Sequence, residues 1–125
     1  MEINGIEFDS LKHQNEYVNT FYYDANKLSM EQRKEITRQQ VLGLIGELVE
    51  FQEGIKLLPW KSGQYDINYD NSKEELVDIY HFFMNLCNLW GIRDEQTLKD
   101  IYLKKNALNY KRGKIHQKPI ENFKV

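Results

Sequence analysis

The chain has 125 residues, 29% charged and 41% apolar, with a net charge of −2; this suits one domain with a modest core and no broad pull towards nucleic acid or membrane. A lone cysteine, Cys87, excludes an internal disulfide and suits a reducing, cytoplasmic setting. The N-terminus has no basic segment leading into an apolar run, so no leader is expected, and no window approaches the ~18 apolar residues of a spanning helix.

In chain order, Ile3–Phe8 reads as a short extended piece. Asp9 or Ser10 is placed to cap a first helix whose apolar positions are Leu11, Tyr17, Val18, Phe21 and Tyr22, running to about Asn26. Gln14 shares that face, three residues after Leu11. Ser29 followed three residues later by Gln32 forms a capping box for a second helix, from about Met30 to Leu57. There Val41, Leu44, Ile45, Leu48, Phe51 and Ile55 recur at helical spacing. Gly43, Gly46 and Gly54 lie on the side that carries Glu47 and Glu50; a ligand or partner helix approaching closely would explain them, and slack packing is the alternative.

Pro59 is expected to end that helix, and a polar loop follows. Ser72, with Glu75 three residues on, reads as the cap of a third helix over Lys73–Trp90. Its apolar residues, Leu76, Ile79, Tyr80, Phe82, Phe83, Met84, Leu86, Cys87, Leu89 and Trp90, reach almost all round it. Burial on several sides in so short a chain suggests an oligomer interface. The remaining polar stripe is Glu74, Asp78, His81, Asn85 and Asn88, and Gly91 is placed as a terminator. A fourth helix starts near Asp94, buries Leu98, Ile101 and Tyr102, and ends at Gly113. Its stripe turns to Lys105, Asn109 and Arg112, pointing to an anion. No repeat, low-complexity tract or domain boundary is visible, so 1–125 reads as one all-α domain of about four main helices.

Two acidic pairs carry the chemistry. Glu47 and Glu50, and Glu75 and Asp78, are each spaced i, i+3, which puts both members on one helix face. Four carboxylates aimed at one point repel unless a cation sits between them, and oxygen-only donors favour Mg²⁺, with Mn²⁺ as the substitute. Asp78 amid Leu76, Val77, Ile79 and Tyr80 needs a partner if buried; a metal is one remedy and an ion pair to Lys105 or Arg112 is another. Lys105, Asn106, Asn109 and Arg112 have the chemistry of a phosphate grip, or of a basic helix end answering the dipole. Trp60 and Phe82 are candidates to stack on a base or to pack in the core. His81 and Cys87 read as structural residues.

With Glu47-x-x-Glu50, Trp60-Lys61 and Glu75-x-x-Asp78, the chain resembles the all-α nucleoside triphosphate pyrophosphohydrolases, the MazG-like superfamily. The run from Glu75 to Asn85 and the Lys105-Asn106-x-x-Asn109-x-x-Arg112 spacing are similar to its dimeric dUTPase branch, phage members included. The chain departs from that branch after Arg112, where Gly113-Lys114-Ile115 follows, and at Pro59-Trp60-Lys61, a shortened Lys-x-Trp-Lys element. The resemblance implies Mg²⁺, two ions or more, on Glu47, Glu50, Glu75 and Asp78, with Glu47 or Glu50 orienting or deprotonating the water. It implies phosphates on Lys61, Lys105 and Arg112, Asn106 and Asn109 near sugar and phosphate, and Gln14, Trp60 and Phe82 near the base. Asn85 joins them by its helix face. The expected enzyme is a cytoplasmic homodimer that cleaves dUTP to dUMP and pyrophosphate. Alternatives are the same chemistry on dCTP or a wider nucleotide set, or a helical interaction protein without activity.

Overall fold

The computed structural model describes residues 2–57 and 67–120. Four α-helices stand among them: α1 (Ser10–Phe21), α2 (Met30–Gly54), α3 (Tyr69–Leu89) and α4 (Glu95–Lys111). The chain is all-α apart from a two-residue hairpin, in which β1 (Glu2–Ile3) pairs antiparallel with β2 (Ile6–Glu7). The connecting Asn4-Gly5 takes φ of 51° and 77°, the mirror-image turn that matches strand twist. The expected extended piece is therefore a hairpin.

Two compact units divide the chain, Met1–His13 with Ile92–Val125, and Gln14–Gly91. In the first, two helix starts cap each other. Asp9 caps α1 by accepting from Lys12 N at 2.9 Å, and its other oxygen accepts from Glu95 N at 2.9 Å. Glu95 returns the contact, accepting from Ser10 N and Ser10 Oγ at 3.0 and 2.9 Å. Asp94 caps α4 as expected, accepting from Thr97 N at 2.7 Å. Gly113, at φ 71°, closes the helix after the Arg112 cap. Leu98 is half-buried, but Ile101 and Tyr102 are 46% and 56% exposed, so those two members of the expected buried stripe are open to solvent in this chain.

In the second unit, α1 stops at Phe21 rather than Asn26. Asp24 accepts from Asn26 N at 2.9 Å and starts a 3₁₀ turn, Ala25–Lys27, a local bond that competes with helix. The Ser29–Gln32 capping box forms, with bonds of 3.1 and 2.9 Å. α2 ends at Gly54, before Pro59, which lies outside the described residues. Lys56 adopts φ 58°, and the bonds Lys56 N to Glu53 O and Leu57 N to Gln52 O complete a Schellman closure. α3 begins four residues early. Asn68 is its cap, accepting from Asn71 N at 3.0 Å, and Ser72 lies buried inside the helix with Oγ donating to Asn68 O at 3.0 Å.

Arg33, absent from the sequence reading, ties this unit together. Its guanidinium donates to the carbonyls of Ala25 and Leu89 and lies 5.9 Å from the centre of the Trp90 ring. Trp90 Nε1 in turn donates to Thr37 Oγ1 at 3.0 Å. Val18, Ala25, Met84, Cys87 and Leu89 are buried, with Asn88 fully enclosed and bonded to Asn19 in both directions at 3.0 and 3.3 Å. The single cysteine is thus a core residue, as its apolar face implied.

Candidate active site

α2 and α3 pack against each other, and three facing pairs set their register. Gln40 bonds Asn85, Gly43 meets Phe82, and Glu47 joins Asp78. Each step up α2 matches an equal step down α3, so the helices run antiparallel. The middle pair explains one glycine: a Cβ at Gly43 would lie 2.2 Å from Phe82 Cε1. At Gly46 and Gly54 a Cβ would meet open space, so among the described residues Gly43 is where the chain itself makes the close approach.

At one end of this register, one carboxylate oxygen each from Glu47, Glu75 and Asp78 lie within 4.8 Å of one another. The i, i+3 spacing on α3 aims Glu75 and Asp78 together, and the antiparallel register brings Glu47 to them. Glu50, one turn on, is exposed and hydrogen-bonds the Glu47 carboxyl. Burial holds the Glu47 pKa above the usual carboxylate range, helped by the negative charge of Glu50, Asp78 and Glu75. Glu47 Oε2 and Glu75 Oε2 are shielded from solvent with no hydrogen-bond partner among the described residues. Two shielded carboxylate oxygens without a donor, in an all-oxygen cluster, fit a hard divalent cation. His81 Nδ1 lies 3.9 Å from Asp78 Oδ1 and adds a weak pair only when protonated.

At the other end is a cavity of about 400 Å³. Gln14 and Asn85 line it together. Gln14 Nε2 donates to Asn85 Oδ1 at 3.1 Å, and Asn85 Nδ2 donates to Gln40 Oε1 at 3.0 Å. Tyr17, Tyr22, Tyr23, Gln39 and Gln40 also line it and were missed. Tyr17 and Tyr22 read in the sequence as part of the first helix's apolar stripe, and Tyr23 and the Gln39-Gln40 pair carry no motif. Tyr17 and Tyr22 meet edge-on at 5.8 Å, and their side-chain hydrogen bond raises the Tyr17 pKa. The Tyr23 hydroxyl is buried, its pKa raised by that burial, and it has no hydrogen-bond partner among the described residues.

The remaining candidates lie elsewhere. Trp60 and Lys61 are outside the described residues. Lys105, Asn106, Asn109 and Arg112 belong to α4 and its cap in the other unit. There Lys105 and Arg112 are exposed, and Asn106 and Asn109 half-buried. Lys105 also borders a small apolar cavity of about 230 Å³ with Ile101, Lys104 and Leu108.

A family model described as dUTPase matches residues 8–96. The chain belongs to the all-α dUTPase family. It is therefore a hydrolase of the dUTP diphosphatase type, acting on a nucleotide. The dUTPase match takes in the whole Gln14–Gly91 unit, with its acidic cluster and amide cavity, and stops before Lys105. No curated protein and no solved structure matches the chain. Among the described residues, no helix is long and apolar enough to cross a membrane.

Proposed function

We propose that this chain converts dUTP to dUMP and pyrophosphate, with Mg²⁺ held by Glu47, Glu50, Glu75 and Asp78. The observation that carries the reading is the spacing of two chemistries along one helix pair. Gln40 and Glu47 are seven residues apart on α2, and Asn85 and Asp78 seven apart on α3. That is about two turns, roughly 10 Å of helix rise. A nucleotide with its base in the amide cavity would carry its phosphate chain towards the acidic cluster. Phe82 sits between the two, at the level of the sugar.

When bound, Mg²⁺ neutralises phosphate charge and lowers the pKa of the attacking water. The chain's own residues do the rest. Glu75 and Asp78 supply oxygens from one helix and Glu47 from the other. Glu47 or Glu50, neighbours one turn apart on α2, is the carboxylate that holds the water and takes its proton. Gln14 and Asn85 read the base edge, and the family resemblance alone assigns Trp60 to the base. By the family resemblance alone, Lys61, Lys105 and Arg112 are assigned to the phosphates, and Asn106 and Asn109 to the sugar and phosphate. The reading includes a homodimer. It is supported by Leu42, Ile45 and Val49 on α2 and Leu76 and Phe83 on α3, between 41% and 63% exposed in the single chain.

The test is product analysis with dUTP, with and without Mg²⁺. Release of dUMP and pyrophosphate that needs the ion is expected. Release of dUDP and phosphate, or hydrolysis indifferent to the ion, would overturn the reading.

A further inference from the structure

Three side-chain amides in the cavity wall form a directed relay. An amide has one carbonyl and one amino group, so a run of amides bonded head to tail has a sense. Here Gln40 offers its carbonyl to Asn85 Nδ2, and Asn85 offers its carbonyl to Gln14 Nε2. Asn85 is engaged at both ends and cannot turn alone without setting two carbonyls, and two amino groups, against each other. The three amides therefore share one sense, and the sense held at Gln40 is the sense held at Gln14. Gln14 spends one N–H on Asn85, and its carbonyl, on the opposite side of the amide, is left facing away from Asn85 for a ligand. A carbonyl accepts from the N3–H of uracil and repels the lone pair on N3 of cytosine. A relay running the other way would present an amino group and favour cytosine.

We propose that Gln40 is a positioning residue for base selectivity: through Asn85 it holds Gln14 in the sense that accepts from uracil and rejects cytosine. This rests on the cavity being the base site. Gln40 lies on α2, half-buried, and shares with Asn85 the register that aligns the acidic cluster. The buried Tyr23 hydroxyl, lining the same cavity without a partner among the described residues, marks it as built for a polar ligand.

The experiment measures kcat/KM for dUTP and dCTP on wild type, Gln40→Glu, Gln40→Leu and Gln14→Ala, each checked for folding by thermal melting. A carboxylate can only accept, so Gln40→Glu keeps the sense and should retain or raise the dUTP:dCTP ratio. Gln40→Leu removes the anchor, lets Asn85 and Gln14 turn, and should lower the ratio about tenfold or more, the worth of one well-placed hydrogen bond. A merely structural Gln40 would shift melting in both variants and leave the ratio alone in both. An unchanged ratio in Gln40→Leu, or an equal collapse in Gln40→Glu, overturns the positioning role. Gln14→Ala separates the two levels. If it leaves the ratio unmoved, the cavity is not the base site and the underlying reading fails as well. If it lowers the ratio while Gln40→Leu does not, only the role of Gln40 falls.

Discussion

Asp78 is the exposed member of the acidic trio, so its replacement disturbs the fold least. Asp78→Asn keeps the shape and removes a charge that a hard cation needs. Hydrolysis should fall to background while melting without metal stays the same or rises, because repulsion within the cluster is relieved. Mg²⁺ should stabilise wild type by about 2.7 kcal/mol at a hundredfold excess over its Kd, and the variant much less. Calorimetry with and without the ion makes the comparison; equal gains in both proteins would remove Asp78 from the metal. Asp94 is a second carboxylate whose charge is used locally. The Thr97 hydroxyl, then the Thr97 amide, then the charge of Lys12 hold its pKa below the ordinary 3.8. Stability from a lowered pKa is present above the unfolded value and is lost as pH falls through the folded one. Asp94→Asn keeps a cap without titrating, so it should lose less stability than wild type as pH falls below about 4. Identical acid limbs for the two proteins would sink this assignment.

Among the elements, the α2–α3 register places everything else, and Gly43 is its tightest point. A methyl there must displace the Phe82 ring, 2.2 Å away at its nearest atom. Overpacking costs about 1–3 kcal/mol, and alanine's better helix propensity offsets about 1 kcal/mol. Gly43→Ala should therefore destabilise by up to about 2 kcal/mol. With Phe82→Ala the obstacle is gone, and the same change should stabilise by about 1 kcal/mol. Denaturant melts of the four proteins test the coupling; a Gly43→Ala cost of the same size with and without the ring would show that Phe82 is not the obstacle.

At the scale of the molecule, α2 has no buried residue, although apolar side chains recur along it at helical spacing. Leu42, Ile45 and Val49 form one stripe at helical spacing that a second copy could cover. Sedimentation at micromolar concentration should give a dimer. Leu42→Asp, at a site 63% exposed in the single chain, should yield a folded monomer. A monomeric wild type would remove the homodimer from the proposed function and leave Leu42 as an ordinary surface residue.

What the sequence determined by itself was local. The i, i+3 acidic pairs, the Ser29–Gln32 capping box, the Asp94 cap and the Gly113 closure depend on residues within one turn of each other, where spacing alone decides geometry. The family motif over the first three helices was legible for the same reason. Competition between neighbours was harder to read: Asn68 took the cap that Ser72 could have taken, and Lys56 closed α2 before Pro59 was reached. Only the tertiary structure decided which positions on different helices meet. The antiparallel register brings Glu47 to Glu75 and Asp78, seats Phe82 on Gly43, and links Gln14, Asn85 and Gln40 into one relay. No spacing within a single helix encodes such a pairing, because it depends on the packing of two helices, and so Gln40 stayed invisible until they were placed side by side.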